Sequence, residues 1–261
     1  MGNYKEWIST LDINIDYYAA FIKAWIAFNS WYREVYGTNL NDGAVIEKIK
    51  TEYNTFKTTL TNLLEALDQE GITFRENVGK LHIALESSTI MTQERTKERV
   101  PISFSSIAVV NSNNKVSGVR VWYDIITIER QKAMIKTQIK KSKTGDLIFE
   151  FAQEKYDVDE LTMNPQFVVL RQDTQRKCVE SYSSVSPYLI ESVLTTGALP
   201  SIDCSGVKLV KDTTKVSRAI VDILYLLRCS LMHGDVAPNQ VNMQAYKNAY
   251  DILSTVLKKL L

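Results

Sequence analysis

The chain has few of the residues that usually reveal a function. It contains two histidines and three cysteines among 261 residues, and its formal net charge is only +1. This near-neutral charge excludes a global field that attracts nucleic acid or membrane, so any such surface must be local. No apolar run approaches the roughly 18 residues of a membrane span. The first residues also lack the apolar region of a signal peptide.

The three cysteines, Cys178, Cys204 and Cys229, are odd in number, and no two have CxxC spacing. This pattern favours reduced thiols and argues against a structural zinc site. Together with the missing signal peptide, it predicts a cytoplasmic protein with no cofactor and no membrane partner. The sequence also lacks Walker, HExxH and GxSxG motifs. Their absence argues against the commonest nucleotide hydrolases, zinc proteases and serine hydrolases.

Hydrophobic periodicity predicts helices over both ends of the chain. The first, 12–36, is apolar nearly all round, which is typical of a central bundle helix. One long helix is predicted over 42–69, with Gly71 after its end, and a shorter helix with Phe74, Val78, Leu81 and Leu85 on one face follows. Later helical segments are predicted at 166–184, 187–196, 212–232 and 239–261, and 198–211 is interpreted as a loop that can contain a short strand at 207–210.

The segment between residues 100 and 156 has a different pattern, rich in β-branched residues and interrupted by turn residues at 111–114 and 143–146. We interpret it as one or two β-hairpins, although 129–141 is ambiguous between strand and helix. The predicted fold class is mainly α. It is a single domain, 1–261, in which a helical bundle (12–90 and 159–261) contains an inserted β-hairpin region at about 100–156.

A short polar segment, 228–234, ends the predicted helix 212–232. Arg228 can hold a phosphate in a fork of donors and His233 can move a proton, a combination that suits phosphodiester cleavage. On an ideal helix a separation of five residues places their side chains roughly 140° apart. Either the helix ends at His233 and the imidazole enters the turn, or the pair works across a symmetric interface between two copies.

The sequence Arg-x-x-x-x-His at Arg228 and His233, followed by Gly234 at the end of a late amphipathic helix, resembles the signature of HEPN domains. The aromatic segment 21–32 resembles the first helix of many members of that family. The order of elements also fits, with long N-terminal helices, an insertion, the motif helix and a closing helix. The resemblance covers about residues 12–90 and 212–261.

The resemblance implies a HEPN-like helical bundle that forms a homodimer and brings two motifs into one cleft. For active members it implies metal-independent endoribonuclease activity, with Arg228 stabilising the scissile phosphate and His233 as general acid or base. The RNA 2′-hydroxyl is then the nucleophile, which requires no metal ligand. Many such proteins act as toxins or in phage defence. We therefore expect an RNA substrate and an antitoxin or defence-system partner protein.

Two positions depart from the family pattern. Cys229 follows the motif arginine, where a small polar residue such as Asn or Asp is common, and Asp235 stands where some toxin members have Tyr. These departures leave open a catalytically inactive HEPN module that serves as a dimerisation or RNA-binding adaptor. Cys229, Ser230 and Asp235 are candidate supporting residues. Asn29 either braces the motif helix or satisfies backbone groups.

Candidate RNA-contacting residues form a basic run with one acidic residue, Glu129, against it. They are Arg130, Lys132, Lys136, Lys140, Lys141 and Lys143. Trp122 and Tyr123 are close in sequence and could stack on bases. The alternative interpretation of this run is a solvated hairpin or helix face.

Overall fold

The computed structural model describes residues 16–92, 99–131, 134–197 and 200–261. The chain divides into two compact units. The helical unit comprises the described residues up to Ile107 together with Glu191–Leu261, and the sheet unit is Ala108–Ile190. Within these residues, no helix is both long enough and apolar enough to cross a bilayer.

The elements are numbered in chain order. The helices are α1 (Tyr17–Tyr36), α2 (Asp42–Thr51), α3 (Thr55–Glu65), α4 (Gln69–Ser87), α5 (Val158–Thr162), α6 (Pro165–Val168), α7 (Gln172–Ser184), α8 (Thr213–Met232) and α9 (Gln240–Lys258). The strands are β1 (Ile107–Val110), β2 (Lys115–Val121), β3 (Asp124–Gln131), β4 (Met134–Lys141), β5 (Leu147–Gln153), β6 (Tyr188–Glu191), β7 (Ser201–Cys204) and β8 (Val207–Val210).

The predicted fold class, mainly α, is wrong. Of the described residues, 51% are helical and 21% are strand, and they form three antiparallel sheets, so the fold is mixed α/β. The sequence prediction failed partly because strands also lie outside 100–156. Segment 187–196 was predicted as helix but contains β6, which pairs with β1. The strand suggested at 207–210 is present as β8, and it pairs with β7, which was not predicted. Each of these strands has four residues, too short for periodicity to separate strand from helix.

The single helix predicted over 42–69 is also wrong, because the chain forms α2 and α3 there and has already begun α4. Asn54 interrupts it, since its side-chain oxygen accepts from the Lys57 N–H and caps α3. Asp68 caps α4 in the same way by accepting from Gly71 N–H. Gly71 thus lies inside α4 rather than after a helix. The apolar periodicity continues across both capping residues, so the hydrophobic pattern alone does not reveal that the helix is interrupted at these two positions.

In the helical unit, α1 and α4 both pack against α9, while α2 and α3 pack against α8. Helix α1 is apolar nearly all round and was predicted to be a central bundle helix, but Ile26 is exposed. Its buried face meets Tyr246 of α9, whose ring centroid lies 4.9 Å from that of Tyr18 and 5.4 Å from that of Phe21. The Tyr246 hydroxyl donates to the Leu227 carbonyl at 2.8 Å, which ties α9 to α8.

Helix α4 packs closely against β7 of the same unit. A Cβ built at Gly79 would lie 1.9 Å from the Cys204 carbonyl oxygen. This separation is shorter than any non-bonded contact, so only glycine permits the approach. The four apolar residues predicted on one face of this helix, Phe74, Val78, Leu81 and Leu85, are all buried.

The sheet unit contains four antiparallel strands in the order β2-β3-β4-β5. Segment 129–141, ambiguous in the sequence, is strand where it is described. Alternate residues of β3 are buried, which is the two-residue period of a sheet with one covered face. That face packs against residues of α5, α6 and α7. The buried cluster comprises Ile126, Ile128, Ile135, Ile139, Phe149, Leu161, Phe167, Cys178, Tyr182 and Val185.

A buried ion pair joins α2 to α8. The Lys50 ammonium lies 2.9 Å from an Asp222 carboxylate oxygen, and the two side chains are 5% and 0% exposed. Lys50 also contacts Glu47 at 2.8 Å. An unpaired charge is strongly disfavoured in an apolar interior. The pair therefore favours the one alignment of α2 against α8 in which Lys50 and Asp222 meet.

Replacing Lys50 with methionine should lower the free energy of unfolding by about 3–5 kcal/mol, because Asp222 loses its lysine while it remains buried. Urea denaturation at neutral pH measures the change. Lys48→Met is the matched control, since Lys48 is paired with exposed Glu52, and exposed pairs contribute about 1 kcal/mol or less. The double variant Lys50→Met/Asp222→Leu should recover much of the loss. Equal effects of Lys50→Met and Lys48→Met would contradict this account.

Candidate functional site

Helix α8 carries the Arg228–His233 segment at its C-terminal end. It begins after Asp212, whose carboxylate accepts from the Lys215 N–H at 2.9 Å, and it ends at Met232 as predicted. The closing turn is a Schellman motif, in which Asp235 N–H donates to Ser230 at 3.0 Å and Gly234 N–H to Leu231 at 3.1 Å. Gly234 has φ +72°, as a residue in that position requires.

His233 is the C-cap residue of α8. Its backbone N–H donates to the Cys229 carbonyl at 3.1 Å, which fixes its main chain. The residue is exposed, and within the described residues its imidazole takes part in no hydrogen bond or ion pair. The ring is therefore accessible to a second molecule.

Arg228 is held from one side by the start of α2. Its Nη2 lies 3.4 Å from Asp42 Oδ2, and the arginine side chain is 25% exposed. The other oxygen of Asp42 accepts from Arg33 of α1. Asn41 caps α2, and Asp42 is its first helical residue. A carboxylate is stabilised there by the positive end of the helix dipole.

Asn29 is linked to this cluster through side chains. Its amide donates to the Tyr32 hydroxyl, and Tyr32 in turn is hydrogen-bonded to Asp42. Of the two predicted roles for Asn29, bracing the motif helix fits this chain of contacts, because its partner is a side chain that leads to Arg228. Tyr32, Arg33 and Asp42 were missed as members of the site, since their sequence positions indicated only an aromatic helix and the start of the next helix.

Burial raises the pKa of Tyr32 to about 12, and the adjacent Asp42 carboxylate adds to the shift. Both causes disfavour the phenolate. Tyr32 therefore stays protonated and can donate to Asp42 across the neutral range. Arg33 and Asn29 oppose the shift only in part.

Among the described residues, no hydrogen bond or ion pair links Arg228 to His233 within one chain. Arg228 faces Asp42, whereas His233 lies beyond the last helical turn and is exposed. The first predicted geometry requires the helix to end at His233, and His233 is the C-cap residue of α8. The second geometry, a site shared by two copies, remains a prediction.

The predicted supporting residues have separate surroundings. Ser230 is fully buried, and its hydroxyl donates to the Met91 carbonyl at 2.8 Å, so its position is structural. Asp235 forms an ion pair with Arg99 at 3.2 Å. Cys229 is a half-buried free thiol.

The predicted basic run is divided between structural and exposed residues, and Lys132 lies outside the described residues. Arg130 donates to the carbonyls of Val185 and Asn111 at 2.8 and 2.7 Å. Lys141 pairs with buried Asp124 at 2.7 Å. These two residues therefore stabilise the sheet unit. The sequence alone could not distinguish Arg130 and Lys141 from the other basic residues of the run, because the partners of these two residues lie far from them in the sequence.

Lys136, Lys140 and Lys143 are the exposed members of the run. Lys136 forms an exposed ion pair with Glu150 at 3.1 Å. The Lys143 ammonium lies 5.4 Å from the centroid of the Tyr123 ring. In the part of the chain that the structure describes, no three His, Cys, Asp or Glu side chains are placed to hold a metal ion.

Comparison of the chain with protein-family models, curated proteins and solved structures finds no match. The function must therefore be argued from the residues and geometry of this chain.

The raised pKa of Tyr32 gives a test of the cluster. The folded protein holds this phenol neutral up to about pH 12, whereas an unfolded tyrosine ionises near pH 10. The stabilisation is complete below pH 10 and is lost as the pH rises towards 12. Tyr32→Phe should therefore show a shallower loss of unfolding free energy over this range, measured by urea denaturation at several pH values.

Tyr53→Phe is the control, because Tyr53 is 87% exposed. This variant should follow the wild-type pH dependence. Should Tyr32→Phe and the wild type lose stability at the same rate above pH 10, the pKa of Tyr32 would not be raised as described.

Proposed function

We propose that the protein is a HEPN-type, metal-independent endoribonuclease whose site is assembled from two copies of the chain. Arg228 and His233 are its catalytic residues, and its biological setting is anti-phage defence or a toxin system. The observation that carries the proposal is the end of α8. There, a partly buried arginine is held on one side by a carboxylate, while a histidine five residues later is exposed and available to a partner.

The proposed reaction requires no group beyond RNA and protein side chains. The 2′-oxygen attacks the adjacent phosphorus, a new P–O2′ bond forms, and the P–O5′ bond breaks. The 2′-hydroxyl proton passes to a base and the 5′-oxygen receives a proton from an acid. The products are a 2′,3′-cyclic phosphate and a 5′-hydroxyl end. A histidine from each copy can supply these two proton transfers.

Arg228 is suited to bind the phosphate in this scheme. A guanidinium has five N–H donors, and its bond to Asp42 at 3.4 Å occupies one side of the group. Asp42 acts as a positioning residue, because it restricts the rotation of Arg228 without reaching the substrate. Tyr32 and Arg33 hold Asp42 in turn, which preorganises the donors for the charge that develops at phosphorus.

The first test is RNA cleavage in excess EDTA by the wild type, Arg228→Ala and His233→Ala. Both variants should lose about 100-fold or more of the rate, the range for removing a general acid–base or an anion-stabilising donor. His82→Gln is the matched control because His82 is the only other histidine. Its imidazole is 3.8 Å from Glu86 within the helical unit, and the variant should cleave like the wild type.

Equal cleavage by the wild type and both motif variants would indicate a contaminating nuclease and overturn the site assignment. A wild type that retains RNA on the protein without cleaving it would favour the inactive adaptor. The end groups provide a further check, since a 3′-hydroxyl product would contradict attack by the 2′-oxygen.

The shared site predicts complementation between inactive variants. Arg228→Ala and His233→Ala chains, carrying different affinity tags, are expressed together and the mixed dimer is purified over both tags. This dimer keeps one arginine and one histidine in the cleft, so it retains one of the two proton transfers and should cleave faster than either homodimer but more slowly than the wild type. Either homodimer alone should stay inactive. A wild type that cleaves RNA while sedimenting as a monomer would contradict a site made by two chains.

A further inference from the structure

Two large aromatic side chains form the turn between β2 and β3. Trp122 and Tyr123 are the only residues between the paired positions Val121 and Asp124. They are 69% and 55% exposed. Trp122 has φ +53°, a conformation that bulky side chains rarely adopt. Strain of this kind, at a place where asparagine or glycine would fit without cost, suggests that the ring itself serves a purpose.

A cation from another part of the sheet unit lies over each ring. The Arg171 guanidinium lies 5.5 Å from the Trp122 ring centroid, and the Lys143 ammonium lies 5.4 Å from that of Tyr123. The Trp122 indole N–H also donates to Asp173 at 3.3 Å, which fixes the orientation of the ring. We call Trp122, Tyr123, Lys143 and Arg171 the aromatic turn.

Further positive charge lies next to the aromatic turn. In the strand register Ile125 pairs with both Arg120 and Lys140, so these exposed cations share one cross-strand row near the turn. The nearby carboxylates are largely engaged. Asp124 is buried and accepts from Lys141 and Thr174.

Glu150 interacts with Lys140 and accepts from Gln138, and the two exposed carboxylates Asp173 and Asp146 are also hydrogen-bonded. Asp173 accepts from Arg176 as well as from Trp122. Asp146 accepts from the Thr144 hydroxyl at 2.6 Å. The surface around the rings therefore has an excess of cations over carboxylates.

We propose that the aromatic turn binds single-stranded nucleic acid. Unpaired bases stack on the exposed faces of Trp122 and Tyr123, while Lys143, Arg171 and the adjacent cations contact the phosphates. Stacking is worth about 1–3 kcal/mol per base, and it requires bases that are not already stacked in a duplex. The inference extends beyond the proposed cleavage, because binding here holds whether or not the end of α8 is a ribonuclease.

The test measures binding of a fluorescein-labelled single strand of mixed sequence to the full-length chain by anisotropy. The chain carries His233→Ala in every arm, so that cleavage does not consume the probe. Trp122→Gly should weaken binding about tenfold or more, the loss expected from one stacked base. Glycine accepts a positive φ without strain, so this variant should keep the fold of the turn, which thermal unfolding checks.

Two controls match the aromatic and the charged residues. Tyr53→Ala removes an aromatic ring that is 87% exposed on the helical unit. Lys115→Ala removes an exposed charge at the opposite end of the strand that leads to Trp122. Both controls should bind like the parent. Tyr123→Ala and Lys143→Ala should weaken binding, and the affinity of the parent should fall as salt rises.

The nucleic-acid arms use RNA, DNA of the same sequence, and the corresponding duplexes. Tighter binding of either single strand than of its duplex supports the proposal, and a preference for RNA over DNA identifies contact with the 2′-hydroxyl. Undiminished binding by Trp122→Gly and Tyr123→Ala would overturn it. So would equal affinity for duplex, or the absence of any nucleic-acid binding. Cleavage assays are separate, so failure of either proposal is recognised independently.

Discussion

Two ion pairs join α2 to α8 and position the residues at the end of α8. In one pair α2 supplies the cation, and in the other it supplies the carboxylate. Lys50 of α2 meets Asp222 of α8, and Asp42 of α2 meets Arg228 of α8. The partners occur in opposite order along the two helices, so the helices are antiparallel at this contact. Reversing one helix would place Asp42 near Asp222 and Lys50 near Arg228, which like-charge repulsion disfavours. The buried pair thus selects one alignment, and that alignment brings a carboxylate to Arg228.

The carboxylate connects the end of α8 to α1 as well. Asp42 accepts from Arg33 and is hydrogen-bonded to Tyr32, so three helices meet at one acidic residue. Tyr246 makes a second connection, since its hydroxyl bonds the Leu227 carbonyl one residue before Arg228. The main chain and the side chain of Arg228 are therefore both restrained. His233, one residue past the helix, is restrained only through its backbone, which suits a group that must meet another molecule.

The helices that carry the motif could be predicted because their signals are local. Helix-terminating residues such as Asp212, Gly234 and Asn239 interact with backbone groups only a few positions away. The observed ends of α8 and α9 therefore lie close to those predicted. The division of 42–69 could not be predicted by periodicity, because Asn54 interrupts the backbone without interrupting the apolar pattern. The partner of Arg228 lies 186 residues away in sequence, a distance at which no spacing rule applies. The structural roles of Arg130 and Lys141 were hidden for the same reason.

The distribution of thiols has a practical consequence for studying assembly. Burial raises the pKa of Cys178 and of Cys204 to about 12, so both remain protonated and shielded at neutral pH. Cys229 is half-buried rather than enclosed, and it directly follows Arg228. A maleimide dye would therefore react first at the residue beside the motif. Cys229 is thus a natural labelling site, and a dye attached to it could report the approach of a second chain without any engineered cysteine.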